Sequence, residues 1–436
     1  MVKVKVKKKK GRIVLYVLLV LIALFLGFRF LPGRWSKGAL SGQMERVEIS
    51  WEEATGKGGP ISPYDLAVHY APDLLCAVNT VISDFGRGDF LAACDFDGDW
   101  AADNNWEHMT AFPLKAVVYW SCQETETHYY LGYNFYHPRD DAEIWLDKHE
   151  NDLEGIMLAI PKREDGFAAP EIMYTQGHGG VPFFFDTERG YDILEGSHRD
   201  GGLELDGDHA VIYITPNGTL LRAGHSVESA KDHSTYLYVG NSGVRYFHGG
   251  VAEEPAVWQG AYANNPCSYE LRPLEELYAQ RNGPYGDGHL FARYGAFRGN
   301  TYEKDAANPP WGWRNKNAFG LSGTFLTDPV WTIRHAVSGT ETFSADYLRN
   351  DFADWRITIR SVGGETASVQ LFKDGSQVST DAWFDVLPNG EICFSETLSQ
   401  PLWAAGGPDT VWLLRATDSQ GQELAVDFEA EYLGGR

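Results

Sequence analysis

The sharpest chemistry in this chain lies in one hexad, His149-Glu150-Asn151-Asp152-Leu153-Glu154, which runs into an apolar stretch ending at Ile160. On a helix Asp152 and Glu154 would stand about 200° apart and could not share a ligand. On a strand the period is two, so the two carboxylates point to one face. His149 stands on the turn before them and can swing to the same side. Upstream, Asp140 and Asp141 close an aromatic run, Tyr129 to Tyr136, just beyond Pro138-Arg139. If the two runs are neighbouring strands, three carboxylates and an imidazole converge. That donor set suits a divalent cation. Packed together without a cation, such carboxylates repel and hold their protons more tightly. Local spacing does not choose between Asp140 and Asp141.

A second acidic run is Asp95-Phe96-Asp97-Gly98-Asp99-Trp100, followed by Asp103-Asn104-Asn105-Trp106. Its acids at positions one, three and five resemble a calcium loop. Trp100, however, stands where an EF-hand needs glycine, and no Glu occupies the twelfth position. The run reads instead as an irregular loop, with Asp95, Asp97, Asp99 and Asp103 as second-rank cation ligands packed by Trp100 and Trp106. His178, His209 and His225 stand singly among Gly and Asp. No Gly-x-Ser-x-Gly elbow and no phosphate-cradling glycine loop is present.

The elements that must position these residues are mostly strands. Val117 to Trp120, Tyr129 to Tyr136, Gly155 to Ile160, Ala210 to Thr215 and Thr235 to Val239 have strand length and composition. Leu271 to Arg281 is the best helix. In the last hundred residues, Arg356 to Arg360, Ser368 to Phe372, Trp383 to Val386, Glu391 to Phe394 and Val411 to Arg415 read as further strands. Asp374-Gly375 and Asn389-Gly390 are tight-turn dipeptides between them. The expected fold is mainly β. A β-sandwich with a few flanking helices spans 61–335, and a smaller C-terminal β-sandwich spans 341–436.

Charge is strongly asymmetric. The chain of 436 residues carries a formal net charge of −23, yet its first 34 residues hold basic residues and no acidic ones. The acidic remainder excludes nucleic-acid binding through a basic footprint. Lys3, Lys5, Lys7 to Lys10 and Arg12 precede an apolar run from Ile13 to Leu31, about the length that crosses a hydrocarbon core. Arg29 lies near its far end, where a long side chain snorkels. This reads as an uncleaved signal-anchor: a cytoplasmic tail at 1–12, a transmembrane helix at 13–31 and a linker at 32–60. The body is then extracytoplasmic, at the cell membrane. Cys76, Cys94, Cys122, Cys267 and Cys393 form no Cys-x-x-Cys pair. Disulfides and buried thiols are both open readings.

Two resemblances sharpen the picture. Tyr70-Ala71-Pro72, Asp95 to Glu107, Asn308-Pro309-Pro310-Trp311-Gly312-Trp313 and Asp328-Pro329 resemble the vacuolar protein sorting-associated family usually numbered sixty-two. The hexad, with Tyr136-His137-Pro138-Arg139-Asp140 upstream, is also similar to the necrosis-inducing, ethylene-inducing peptide-like cytolytic family. That second resemblance implies a β-sandwich. It also implies a metal site on Asp140, His149, Asp152 and Glu154, and it is what selects Asp140. The family's Trp is Leu153 here and its second His is Asn151. Magnesium or calcium is the expected cation, and the imidazole leaves room for manganese or zinc. Two functions follow as expectations. One is a metal-dependent surface binding module for a lipid headgroup, glycan or envelope partner. The other is a metal-dependent hydrolase with a carboxylate such as Glu150 as base.

Overall fold

A computed structural model describes residues 45–78, 84–100, 104–140, 149–176, 182–186, 188–194, 198–214, 224–226, 242–255, 265–280, 326, 328–352, 355–362, 368–377, 384–386, 392–394 and 408–432. The expected anchor at 13–31 and tail at 1–12 lie outside the described residues. Among the described residues, no helix is long and apolar enough to cross a membrane.

The chain is mainly β, with few and short helices. The body strands are β1 (Asp73–Val78), β2 (Val117–Thr125), β3 (His128–Asp140), β4 (His149–Pro161), β5 (Ile172–Gln176), β6 (Pro182–Phe185), β7 (Asp192–Ile193), β8 (His198–Gly202), β9 (Leu205–Asp206), β10 (His209–Ile214), β11 (Gly224–Ser226), β12 (Ser242–His248), β13 (Pro266–Pro273), β14 (Val337–Ser338) and β15 (Tyr347–Arg349). Thirteen of them join one hydrogen-bonded sheet. Its path is β11-β10-β1-β12-β13-β2-β3-β4-β5-β6-β8, with β15 added to β2 and β9 to β10. The sheet doubles back on itself. One core cluster takes in Leu74 and Cys76 of β1, Ile212 of β10, Tyr133 of β3 and Leu158 of β4. β11, at one end of the path, also lies close to β4, β5 and β8 towards the other, so the single sheet curls into a half-barrel.

Strand alternation explains how β4 is held. Ile156, Leu158 and Ile160 enter that cluster, whereas Met157 and Ala159 enter a second one with Val330, Ile333 and Ala336. Those three residues belong to the helix Pro329–Ala336. Pro329 opens it, and the Asp328 side chain accepts from the Trp331 N–H. A strand covered on both faces reads as a continuous apolar run.

The helix expected over Leu271 to Arg281 is shorter. Glu270 to Pro273 pair in parallel with Val117 to Trp120 of β2, and the helix is confined to Glu275–Gln280. The cross-strand ladder outcompetes the helical spacing of Leu271, Leu274 and Leu277. The packing of the body also runs past residue 335. Phe343 and Phe352 are buried in its two clusters. The remaining strands are β16 (Trp355–Val362), β17 (Ser368–Lys373), β18 (Ser376–Gln377), β19 (Phe384–Val386), β20 (Ile392–Phe394), β21 (Trp412–Thr417) and β22 (Val426–Tyr432). Among the described residues they pair only with one another. Asp374 and Gly375 both have positive φ, 50° and 77°, in the tight turn between β17 and β18. Thr235 to Val239 and the Asn389-Gly390 turn lie outside the described residues. Cys76, Cys94, Cys122 and Cys267 are buried free thiols, pushed up in pKa by burial.

Candidate metal centre

β3 and β4 are antiparallel neighbours, the arrangement that convergence requires. Their register pairs Phe135 with Glu154, His137 with Asp152, Arg139 with Glu150 and Asp140 with His149. Directly paired residues share a face. Alternation therefore sets His137, Glu150, Asp152 and Glu154 on the face that continues into Ile156, Leu158 and Ile160. That inner face of β4 changes from carboxylates to aliphatics at Ile156.

Both carboxylates of the expected site are buried, Asp152 at 2% exposure and Glu154 at 3%. Burial pushes the Glu154 carboxyl well above the usual carboxylate range, and the neighbouring Asp152 charge raises it further. Glu154 Oε1 makes no hydrogen bond among the described residues. Across the interior, the thiol of Cys76 on β1 is raised in part by Glu154. Two acids sharing a dry site, one with an orphaned oxygen, fit the carboxylate half of a cation site. Asp140 and His149 form the terminal rung of the ladder, an odd number of residues from the His137 and Asp152 rung and so out of phase with it, and their side chains lie outside the described residues. Of the four expected ligands, the structure thus brings Asp152 and Glu154 together.

The hexad is anchored by a polar knot. Asn151 has φ 62° in the middle of β4. Asn tolerates this left-handed conformation better than most side chains. Its Oδ1 accepts from the Tyr136 hydroxyl at 2.5 Å and from Asn105 Nδ2 at 3.1 Å, and Asn105 Nδ2 also reaches the Pro138 carbonyl at 2.8 Å. Asn105 begins the helix Asn105–Ala111, whose Trp106 N–H donates to Glu150 Oε1 at 2.9 Å. The Arg139 guanidinium lies 4.4 Å from the centre of a Trp106 ring. Gly155 follows Glu154 because a Cβ there would stand 2.9 Å from the Tyr133 carbonyl oxygen. The Asn104-to-Glu107 segment and the hexad, separate motifs in the sequence, are therefore parts of one assembly. Asn105→Ala is expected to cost about 2 kcal/mol of stability, because it strips donors from buried acceptors. Urea unfolding with an unchanged m-value checks this.

Glu150 is fully buried and engaged at the helix N-terminus. Its carboxylate is thus tied to the helix Asn105–Ala111. The second acidic loop divides. Asp95 pairs with Arg272 at 2.7 Å. Asp97 meets His108 Nδ1 at 2.6 Å, and the Asp99 N–H donates to Asp97 Oδ1 at 3.2 Å. Donor atoms of Asp97, Asp99 and His108 lie within 4.8 Å of one another. Asp103 lies outside the described residues. His108 went unread in the sequence because its helix, not its spacing, delivers it to Asp97. His209 is buried, with Nδ1 2.7 Å from the Ala71 carbonyl oxygen and Nε2 3.1 Å from Glu48. It serves the fold.

No family model matches the chain, and no curated protein matches it. Solved structures similar to it include NLPPya in complex with glucosamine, at 14% identity and TM-score 0.27, over 51% of this chain and 80% of that one. Another is the non-toxic HaNLP3 protein, at 14% identity and TM-score 0.25, over 55% and 88%. A third is Necrosis and Ethylene inducing Protein 2 from the causal agent of cocoa's Witches Broom disease, at 12% identity and TM-score 0.22, over 52% and 77%. These likenesses are of low identity and partial coverage. Nothing among the comparisons supports the resemblance to the vacuolar protein sorting-associated family.

Proposed function

We propose that this chain is a membrane-anchored, extracytoplasmic binding module whose divalent-cation site is built on Asp140, His149, Asp152 and Glu154. One observation carries the reading. Asp152 and Glu154 are buried on one face of β4, and Glu154 Oε1 has no hydrogen-bond partner among the described residues. A cation there would neutralise both carboxylates and offer a coordination position to the oxygens of a lipid headgroup or glycan. The anchor at 13–31 and the acidic body support a place at the outer cell surface. Glu150, held by the Trp106 N–H, supplies no free base, and the binding reading is preferred to the hydrolase reading on that ground.

Elemental analysis of the purified full chain tests the site. About one divalent cation per chain, retained on dialysis and removed by chelator, is the expected result. Metal-free protein that takes up no cation on titration would remove the site. N-terminal sequencing of mature protein tests the anchor separately, since a start near residue 40 would mean the segment is cleaved.

A further inference from the structure

Residues 46–49 fasten to the body at four consecutive positions. The Arg46 guanidinium reaches Asp73 and Asp206, and the Val47 N–H donates to the His248 carbonyl at 2.9 Å. Glu48 meets His209 Nε2 at 3.1 Å, and the Ile49 carbonyl meets His69 Nδ1 at 3.1 Å. Both of these rings are held at their second nitrogen as well. His69 Nε2 lies 3.0 Å from Asp208 Oδ2, and His209 Nδ1 lies 2.7 Å from the Ala71 carbonyl oxygen. Each ring thus bridges a carbonyl and a carboxylate. Neither a carbonyl nor an ionised carboxylate has a proton to give. Both nitrogens of both rings must therefore donate, and only the imidazolium form does that.

The surrounding charges agree with that form. Arg46 and Arg245 answer Asp73 and Asp206, whereas Glu48 and Asp208 each have an imidazole as ion-pair partner. Asp65, one turn before His69 on the helix Pro63–His69, is taken by Lys57. The rings of Tyr70 and Phe167 pack against His69. His248, the third ring of the group, is pushed towards its neutral form by burial and then by His209, against the pull of the Tyr269 carbonyl and Glu48. With both bridging rings charged, every carboxylate of the cluster has a cation. With both neutral, Glu48 and Asp208 lose theirs.

We propose that His69 and His209 form an acid-closed clasp on Glu48 and Ile49, which loosens as pH rises and either ring gives up a proton. A deprotonated nitrogen turns a lone pair towards an oxygen and repels it instead of donating. Bonds that need the protonated ring are complete in acid and are lost as pH climbs. Arg46 keeps its two carboxylates, so the loosening is centred on residues 48–49. The segment lies between the anchor expected at 13–31 and the body, so pH would set how firmly the body is fastened to its tether. That consequence rests on the anchor reading above; the clasp itself does not.

Hydrogen exchange at residues 45–50 of the full chain, corrected for the intrinsic rate at each pH, tests the clasp. The Val47 N–H, bonded to the His248 carbonyl, reports on the closed segment. In the wild type its protection is expected to fall about tenfold or more between about pH 5.5 and about pH 8.5. Glu48→Gln combined with Asp208→Asn is the matching variant, and both positions reach solvent, at 54% and 30% side-chain exposure. An amide donates to a neutral ring as readily as it accepts from a charged one, so the fall should shrink below about twofold. Wild-type protection that does not change with pH, or an equal fall in the variant, would overturn the clasp. A mature protein that starts near residue 40 still carries this segment, so the result stands apart from the anchor reading.

Discussion

Asp152→Asn is expected to lower divalent-cation affinity by more than about 100-fold, because groups that merely support a ligand already contribute about 10–100-fold. Asn keeps the size and shape of Asp and removes its charge. The strand should persist, since β4 is held by Ile156, Leu158 and Ile160 on the same face and by the Asn151 knot beside it. Calorimetric titration measures the affinity, and far-ultraviolet circular dichroism checks the fold. Equal affinity in variant and wild type would mean that the buried pair is not the site.

Glu154→Gln is expected to reverse the order of stabilities between the metal-free and metal-loaded states. In the metal-free wild type the Glu154 carboxyl is raised above its ordinary value of 4.5 by burial and then by Asp152. The folded state therefore holds a proton that the unfolded state releases above about pH 4.5. Linkage then requires the folded state to lose stability as pH climbs from there towards the folded value. Gln carries no titrating proton, so this slope should vanish. At pH 8 the metal-free variant should therefore be the more stable. With cation at a hundredfold excess over its dissociation constant, the wild type should gain about 2.7 kcal/mol and the variant almost nothing. Thermal unfolding across pH 5–8, with chelator and with cation, reads both effects.

Much of this arrangement was legible in the sequence, for identifiable reasons. The apolar run after the hexad and the aromatic run before it both have strand period and composition, so β3 and β4 could be read, and with them the shared face of Asp152 and Glu154. The turn at Asp374-Gly375 could be read because few dipeptides accept two consecutive positive φ values. The polar knot could not. Asn105 lies 31 residues from Tyr136 and 46 from Asn151, and no local pattern reports such contacts. Glu150 looked like a free acid because the N–H that engages it comes from another segment. The helix at Leu271 failed for a related reason, since its leucines fit a helix and a strand alike until the pairing with β2 decides.

Anomalous diffraction from crystals of the manganese-loaded protein is the most direct test of the central claim. The account predicts one strong peak between the Asp152 and Glu154 carboxylates, on the inner face of β4. A peak found only beside Asp97, Asp99 and His108, or no peak at all, would contradict it.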